Sequence, residues 1–409
     1  MQEPSYMIIL PGNEKDIESP DTFMSNLTQC DFIQIKGMNM DEEKGLVMDL
    51  LVEGIPYQIS IDITDVEVPP FIRPAHVFSE EEIERIDNTK VGLAVCMEFR
   101  GSSMQCFYDQ IRIIHAMLPD VLAVMDCAAE KLISGRWIAP AAESKVLPAP
   151  RYLFTVQAVG DESGEVWLHT HGLGRCGLYE LEILCSDKDT CNDHYRMMEN
   201  FAYRMLDDDE PIEPGVGVFI GESAGVDMVL TAVNWREALN YYPEAIMGTE
   251  ADRDEYHNDS FVLMMYKNGE DEDNRRYTRV QEFTSFLQDN PLFMISDSET
   301  ARMRSLAMER IPYMIEAAKD PENTILVKIG LFVDDEYQDE DGEKREHIWF
   351  ELKDVKEDGI VGELTQEPYY VSGIREGDIG IYPFSDITDW IILTKECKIT
   401  PDEVYLLKK

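Results

Sequence analysis

His169-Thr-His171 sits in the run EVWLHTHGL, with Glu180 and Glu182 a short way downstream. On a β-strand alternate side chains share a face. Both imidazoles therefore point one way, and so do both carboxylates. If the two stretches pair as a hairpin through GLGRCG, histidine meets glutamate across it. Cys176, Cys185, Cys191 and His194 lie in the same window. Zinc takes nitrogen, sulfur and carboxylate donors, commonly as closely spaced pairs, and His169-x-His171 and Cys191-x2-His194 have that spacing. Cys176 and Cys185 stand too far apart to complete a zinc signature. The candidate ligands are thus His169, His171, Glu180, Glu182, Cys191 and His194, with zinc as the candidate ion. The plainer role for the same side chains is a hydrogen-bonded polar face on a hairpin.

Gly221-Glu-Ser223-Ala-Gly225 follows the strand-like run VGVFI. GxSxG after a strand is the nucleophile-elbow pattern of α/β-hydrolases, which makes Ser223 a candidate nucleophile, with His257 available as its base. An elbow also needs a helix after the serine, and VDMVLTAV reads as a strand. A glycine-bearing loop between antiparallel strands accounts for the same letters. Gly215-x-Gly217 does not extend to GxGxxG, because position 220 is Ile. A further constellation is His347, Trp349, Asp389 and Trp390. It offers an aromatic–polar ligand patch, or else a core tryptophan pair with Asp389 closing a turn.

The elements that must carry these residues fall into three stretches. Residues 1–145 mix strands (YMIIL, DFIQIK, GLVMDLLV, PYQISIDI, VGLAVCMEF, DVLAVM) with helices. Ser79 and Glu82 form a capping box. Met104, Phe107, Tyr108, Ile111, Ile114 and Leu118 form one helical face. A second helix is expected from about Cys127 to Ser134, stopped by Gly135, which gives a βαβα layer. PAAESKVLPAP reads as a linker. Residues 150–296 carry the HTHGL motif, a helix near Thr190–Leu206 and further strands. Residues 297–409 open with an amphipathic helix that Pro312 should split. Short strands follow, and the acidic tract 334–346 reads as a hairpin loop. The expected fold class is multi-domain α+β, with mixed and antiparallel sheets, packed helices and a small β-rich C-terminal module.

The formal charge is −45. It is spread over all three stretches, so it marks the whole surface and suits solubility or a basic partner protein. No cluster of Lys and Arg is present to neutralise phosphates, which argues against nucleic acid as a partner. Eight cysteines without a CxxC read as reduced, buried thiols and point to a cytoplasmic setting. No apolar run reaches membrane-spanning length, and the first residues lack a signal peptide's basic region.

The stretch EHIWFELKDVKEDGIVGELTQEPYYVSGIREGDIGIYPFSDITDWII resembles the bacterial family called domain of unknown function 2314. Glu346-His347-x-Trp349, Gly362-Glu-Leu364, Pro368, Gly377-Asp378 and Asp389-Trp390 carry the likeness. CFYDQIRIIHAMLPDVLAVMDCAAEKLISGRWI and WLHTHGLGRCGLYELEI resemble domain of unknown function 4026. Neither resemblance implies an activity. Related modules among toxin-immunity and interaction proteins make a non-enzymatic interaction or regulatory role the expectation. A metal-dependent or serine hydrolase centred on residues 169–223 is the alternative.

Overall fold

The structure is a computed structural model that describes residues 2–207, 211–223, 225–244, 246–253, 257–283, 292–293, 296–339 and 342–407. It is α+β. The chain divides into two compact units: residues 1–138 with 148–296, and residues 139–147 with 297–409.

The larger unit holds two sheets. In the first, β1 (Ser5–Pro11), β2 (Ile33–Asp41), β3 (Gly45–Val52), β4 (Ile55–Asp65), β5 (Arg73–Pro74), β6 (Val91–Met97), β7 (Val121–Asp126) and β8 (Lys131–Ser134) run in the order β2-β3-β4-β6-β1-β7-β8-β5. All pairings are antiparallel except β5–β8. Because β1 is central and covered on both faces, MIILP is buried at every position instead of alternating. Ile8 and Leu10 pack with Ile86 of a helix, Glu80–Asn88, whose Ser79–Glu82 capping box forms as the sequence predicts. Another helix, Ser103–Met117, is capped by Ser102 and buries Phe107, Ile111 and Ile114.

Residues 127–134 are not the expected helix. Val121–Asp126 and Lys131–Ser134 pair as a tight hairpin, with Glu130 in the left-handed region at φ 50°. The Asp126 carboxylate accepts from the Ala129 amide and closes the turn. The real helix begins at Gly135, where the predicted one ends. The first sheet is therefore a largely antiparallel layer and not a βαβα repeat.

The second sheet comprises β9 (Thr155–Gly160), β10 (Glu165–His171), β11 (Leu181–Asp187), β12 (Val218–Ser223), β13 (Val226–Asn234), β14 (Phe261–Tyr266), β15 (Thr278–Arg279) and β16 (Leu292–Phe293). Its order is β16-β12-β13-β14-β11-β10-β9, with β15 on β14; among the described residues only the β11–β14 pairing is parallel. One face packs Val166, Leu168 and Ile183 against the helix Cys191–Asp207, through Met197, Met198 and Phe201. The other face gathers Trp167, Leu184, Val233, Trp235 and Met264.

Arg175 ties the two sheets together. Fully enclosed, it donates to Asp126 Oδ1 at 2.8 Å, Ser5 Oγ at 3.1 Å and the carbonyls of Tyr152 and Leu153. Lys131 donates to the carbonyls of Arg151 and Phe154 beside it.

In the smaller unit, β17 (Thr324–Phe332), β18 (Arg345–Val355), β19 (Gly359–Leu364), β20 (Ile379–Pro383), β21 (Ile387–Leu393) and β22 (Lys398–Ile399) form an antiparallel sheet, order β20-β19-β18-β17-β21-β22. The acidic tract joins β17 to β18. Two helices, Asp297–Glu309 and Ile311–Ala317, cover one face, and the break at Arg310 places Pro312 in the first turn of the second. Among the described residues no helix is long and apolar enough to cross a membrane.

Candidate metal centre

The strands β10 and β11 do pair as an antiparallel hairpin, with His169 opposite Glu182. On its other edge β11 runs parallel to β14, with Glu182 beside Val262. Parallel neighbours that start level bring the segments before them together. The Phe261 amide donates to the Glu180 carbonyl, so residues 257–260 lie against the start of β11. This register carries His257 to the face of His169 and His171.

The three imidazoles form a compact group. Their ring centroids are 5.0 Å (His169–His171), 4.6 Å (His169–His257) and 5.2 Å (His171–His257) apart, all edge to face. One potential ligand atom from each lies within 4.8 Å of the others. A tetrahedral zinc ion bound at 2.0–2.1 Å spaces its nitrogens roughly 3.3 Å apart, so each nitrogen need move inward by less than about 1 Å. Side-chain rotation covers that distance. His169 and His257 are buried, and His171 keeps 12% of its side chain exposed.

What lies around the imidazoles fixes them. Trp167 packs at a tilt against His169 and His257, with ring centroids 4.7 and 5.2 Å away. Arg253 makes a buried two-point ion pair with Glu182, at 2.5 and 2.6 Å, and donates to the His257 carbonyl at 2.8 Å. Ser260 and the Trp167 indole also donate to Glu182. At the outer side Glu130 Oε2 stands 3.6 Å from His171 Nε2. Gln157, opposite His169 on β9, donates to the same Glu130 oxygen.

The six ligand candidates from the sequence are thus parted. His169 and His171 converge. Glu182 lies alongside, its carboxylate taken up by Arg253, Ser260 and Trp167, and through Arg253 it holds the His257 carbonyl. Glu180 does not share its face, because residues 178–180 are irregular and strand alternation begins only at Leu181. Its carboxylate accepts from Thr170 Oγ1 and the Gly172 and Gly174 amides, closing the turn after β10; burial raises its pKa. Cys191 and His194 belong to the helix on the opposite face of the sheet. His194 pairs with Ser186 Oγ at 2.7 Å, and burial holds its imidazole down at about 4. Burial also pushes the Cys176 and Cys185 thiols up, to about 11 and about 12, so neither is a ready thiolate.

Ser223 ends β12, and the chain turns directly into antiparallel β13, pairing Ser223 with Val226. No helix follows the serine, so the elbow geometry is absent there; Ala224 lies outside the described residues.

In the C-terminal sheet the register sets Lys328 between Trp349 and Asp389. Lys328 Nζ is 5.5 Å from the Trp349 ring centre, and His347 Nδ1 is 3.1 Å from Thr388 Oγ1. Partial enclosure, then Lys328, Arg304 and Arg345, lower the His347 pKa; burial raises that of Asp389. Trp390 points the other way, fully buried, its indole donating to the Ala307 carbonyl at 2.9 Å. The expected tryptophan pair does not form, since Trp349 and Trp390 occupy opposite faces.

Two sheets packed into one unit and a third sheet under two helices make this a multi-domain α+β protein with a C-terminal β-sheet module. The chain belongs to the family described as protein of unknown function DUF4026: its N-terminal part matches residues 5–148 and its C-terminal part residues 156–265. Residues 306–400 match the family described as uncharacterized protein conserved in bacteria, DUF2314. No curated protein and no solved structure matches the chain.

Proposed function

We propose that this chain binds one divalent transition-metal ion of the zinc class through His169, His171 and His257, and works as a metal-stabilised binding protein and not as an enzyme. The convergence of three imidazoles from two separated segments carries the reading. Neutral imidazole suits zinc, copper and nickel, and carboxylate tolerates them. Two buried histidines and a third at the edge, packed beside Trp167 and an Arg253–Glu182 pair, suit an ion better than a substrate. Elemental analysis of protein loaded with zinc and desalted tests it. One equivalent in the wild type, lost in His257→Ala, is expected. No retained metal, or full retention in His257→Ala, contradicts the reading.

The evenly spread charge of −45 supports a second element, attraction to a basic partner protein. Steering of that kind weakens as salt screens it. A partner captured at low ionic strength should be released at high ionic strength; capture indifferent to salt counts against it.

A further inference from the structure

We infer that Glu130 is the fourth ligand of this centre, so that the metal staples the β7–β8 hairpin of the first sheet to β10 of the second. The inference rests on the three-histidine reading and deepens it. The motivating distance is between Glu130 Oε2 and His171 Nε2, 3.6 Å. Donors at about 2.0–2.2 Å from a tetrahedral zinc stand roughly 3.3 Å apart, so this oxygen is already close to a ligand's place.

One further contact aims the carboxylate, and two fix the turn that carries it. Gln157 donates to it, and Gln157 is the residue directly opposite His169, so both project from the same face of the β9–β10 pair. The carboxylate therefore lies at the His171 side of the group, just outside the set of three imidazole donors that stand within 4.8 Å of one another. Gly172, next after His171, adopts φ +108°, and a Cβ there would come within 2.9 Å of the Ala129 Cβ and 2.5 Å of the Leu153 carbonyl oxygen. Only glycine lets the Ala129–Glu130 turn approach the end of β10 this closely. The Glu130 carbonyl accepts from the Arg73 amide, which fixes the turn from behind.

A three-nitrogen, one-oxygen sphere with no open position is a structural zinc site, because a catalytic one keeps a place for water. The sphere would draw on both sheets of the larger unit: Glu130 from the first, His169, His171 and His257 from the second. Metal binding would then add to the work of Arg175, which joins the same two sheets by hydrogen bonds.

The test uses the full chain. Zn(II) affinity is read by competition with a chromophoric chelator, and backbone hydrogen exchange is followed over residues 127–131 and 167–171 with and without zinc. In the wild type zinc should slow exchange in both segments. Glu130→Gln should bind at least 10-fold more weakly and lose the added protection over 127–131 while keeping it over 167–171. Equal affinity and equal protection in Glu130→Gln overturn the inference and leave the three-histidine site standing. Absence of zinc binding by the wild type overturns both. If Glu130→Gln does not fold, Glu130→Asp, which withdraws the oxygen by one methylene, should also weaken binding; unchanged affinity there overturns the inference equally.

Discussion

On β10 the alternation His169-x-His171 lies under a second layer: His257 from the segment before β14 and Glu130 from the β7–β8 turn. On β18 the alternation His347-x-Trp349 lies on the sheet face away from the helices, beside Lys328 and Asp389. Both motifs place two ring side chains on one face of a strand. The first is met by a third imidazole and a carboxylate from distant segments, whereas the second is met by Lys328, Thr388 and Asp389 of neighbouring strands and by no further histidine among the described residues. A strand pattern supplies a face; a site forms where long-range pairing brings a second set of donors to that face.

The comparison can be broken at several points. The largest effect is expected at Glu182, wholly enclosed and paired with Arg253. Glu182→Ala leaves a buried guanidinium without its carboxylate and should cost about 3–5 kcal/mol in denaturant unfolding. A cost below 1 kcal/mol would mean that the pair does not hold the histidine face. In the C-terminal sheet the two tryptophans should separate. Trp390→Ala, which empties a core position and removes a hydrogen bond, should cost about 3–5 kcal/mol, whereas Trp349→Ala on the open face should cost less than about 1. Equal costs would contradict the assignment of opposite faces.

Acid should act through His194. Its folded pKa is about 4, below the ~6.5 of an unfolded histidine. The unfolded chain therefore takes up the proton first. The contribution is complete above pH ~6.5 and is lost as pH falls toward 4, up to ~3 kcal/mol in all. His194→Asn should flatten that part of the stability–pH curve; an unchanged slope would refute the assignment. The smallest effect is expected of His347→Ala, which should leave zinc affinity unaltered. A measurable loss would place a ligand on the C-terminal face.

Much of the fold is legible in the sequence because local signals agree with the final structure. The Ser79–Glu82 capping box, the periodic face from Phe107 to Ile114 and Pro312 at the helix break are of that kind. Residues 127–134 are not, because Ala128, Ala129, Glu130, Lys131 and Leu132 are good helix formers whose preference yields to pairing with β7. That misreading also hides Glu130, since a carboxylate on a helix would not be looked for at a hairpin tip.

The site divides in the same way. His169 and His171 are visible from alternation alone. His257 is joined to them by the parallel β11–β14 pairing, which strand patterns do not reveal. Its one local signal is its place just before the strand FVLMMY. Glu180 and His194 look equally promising in sequence, yet one closes a turn and the other lies beyond the sheet.

Anomalous diffraction at the zinc edge, from crystals of the full chain grown with Zn(II), tests the central claim most directly. A single strong peak bonded at about 2.0–2.1 Å to nitrogens of His169, His171 and His257 is predicted. A peak elsewhere, or none at these three histidines, would contradict the account.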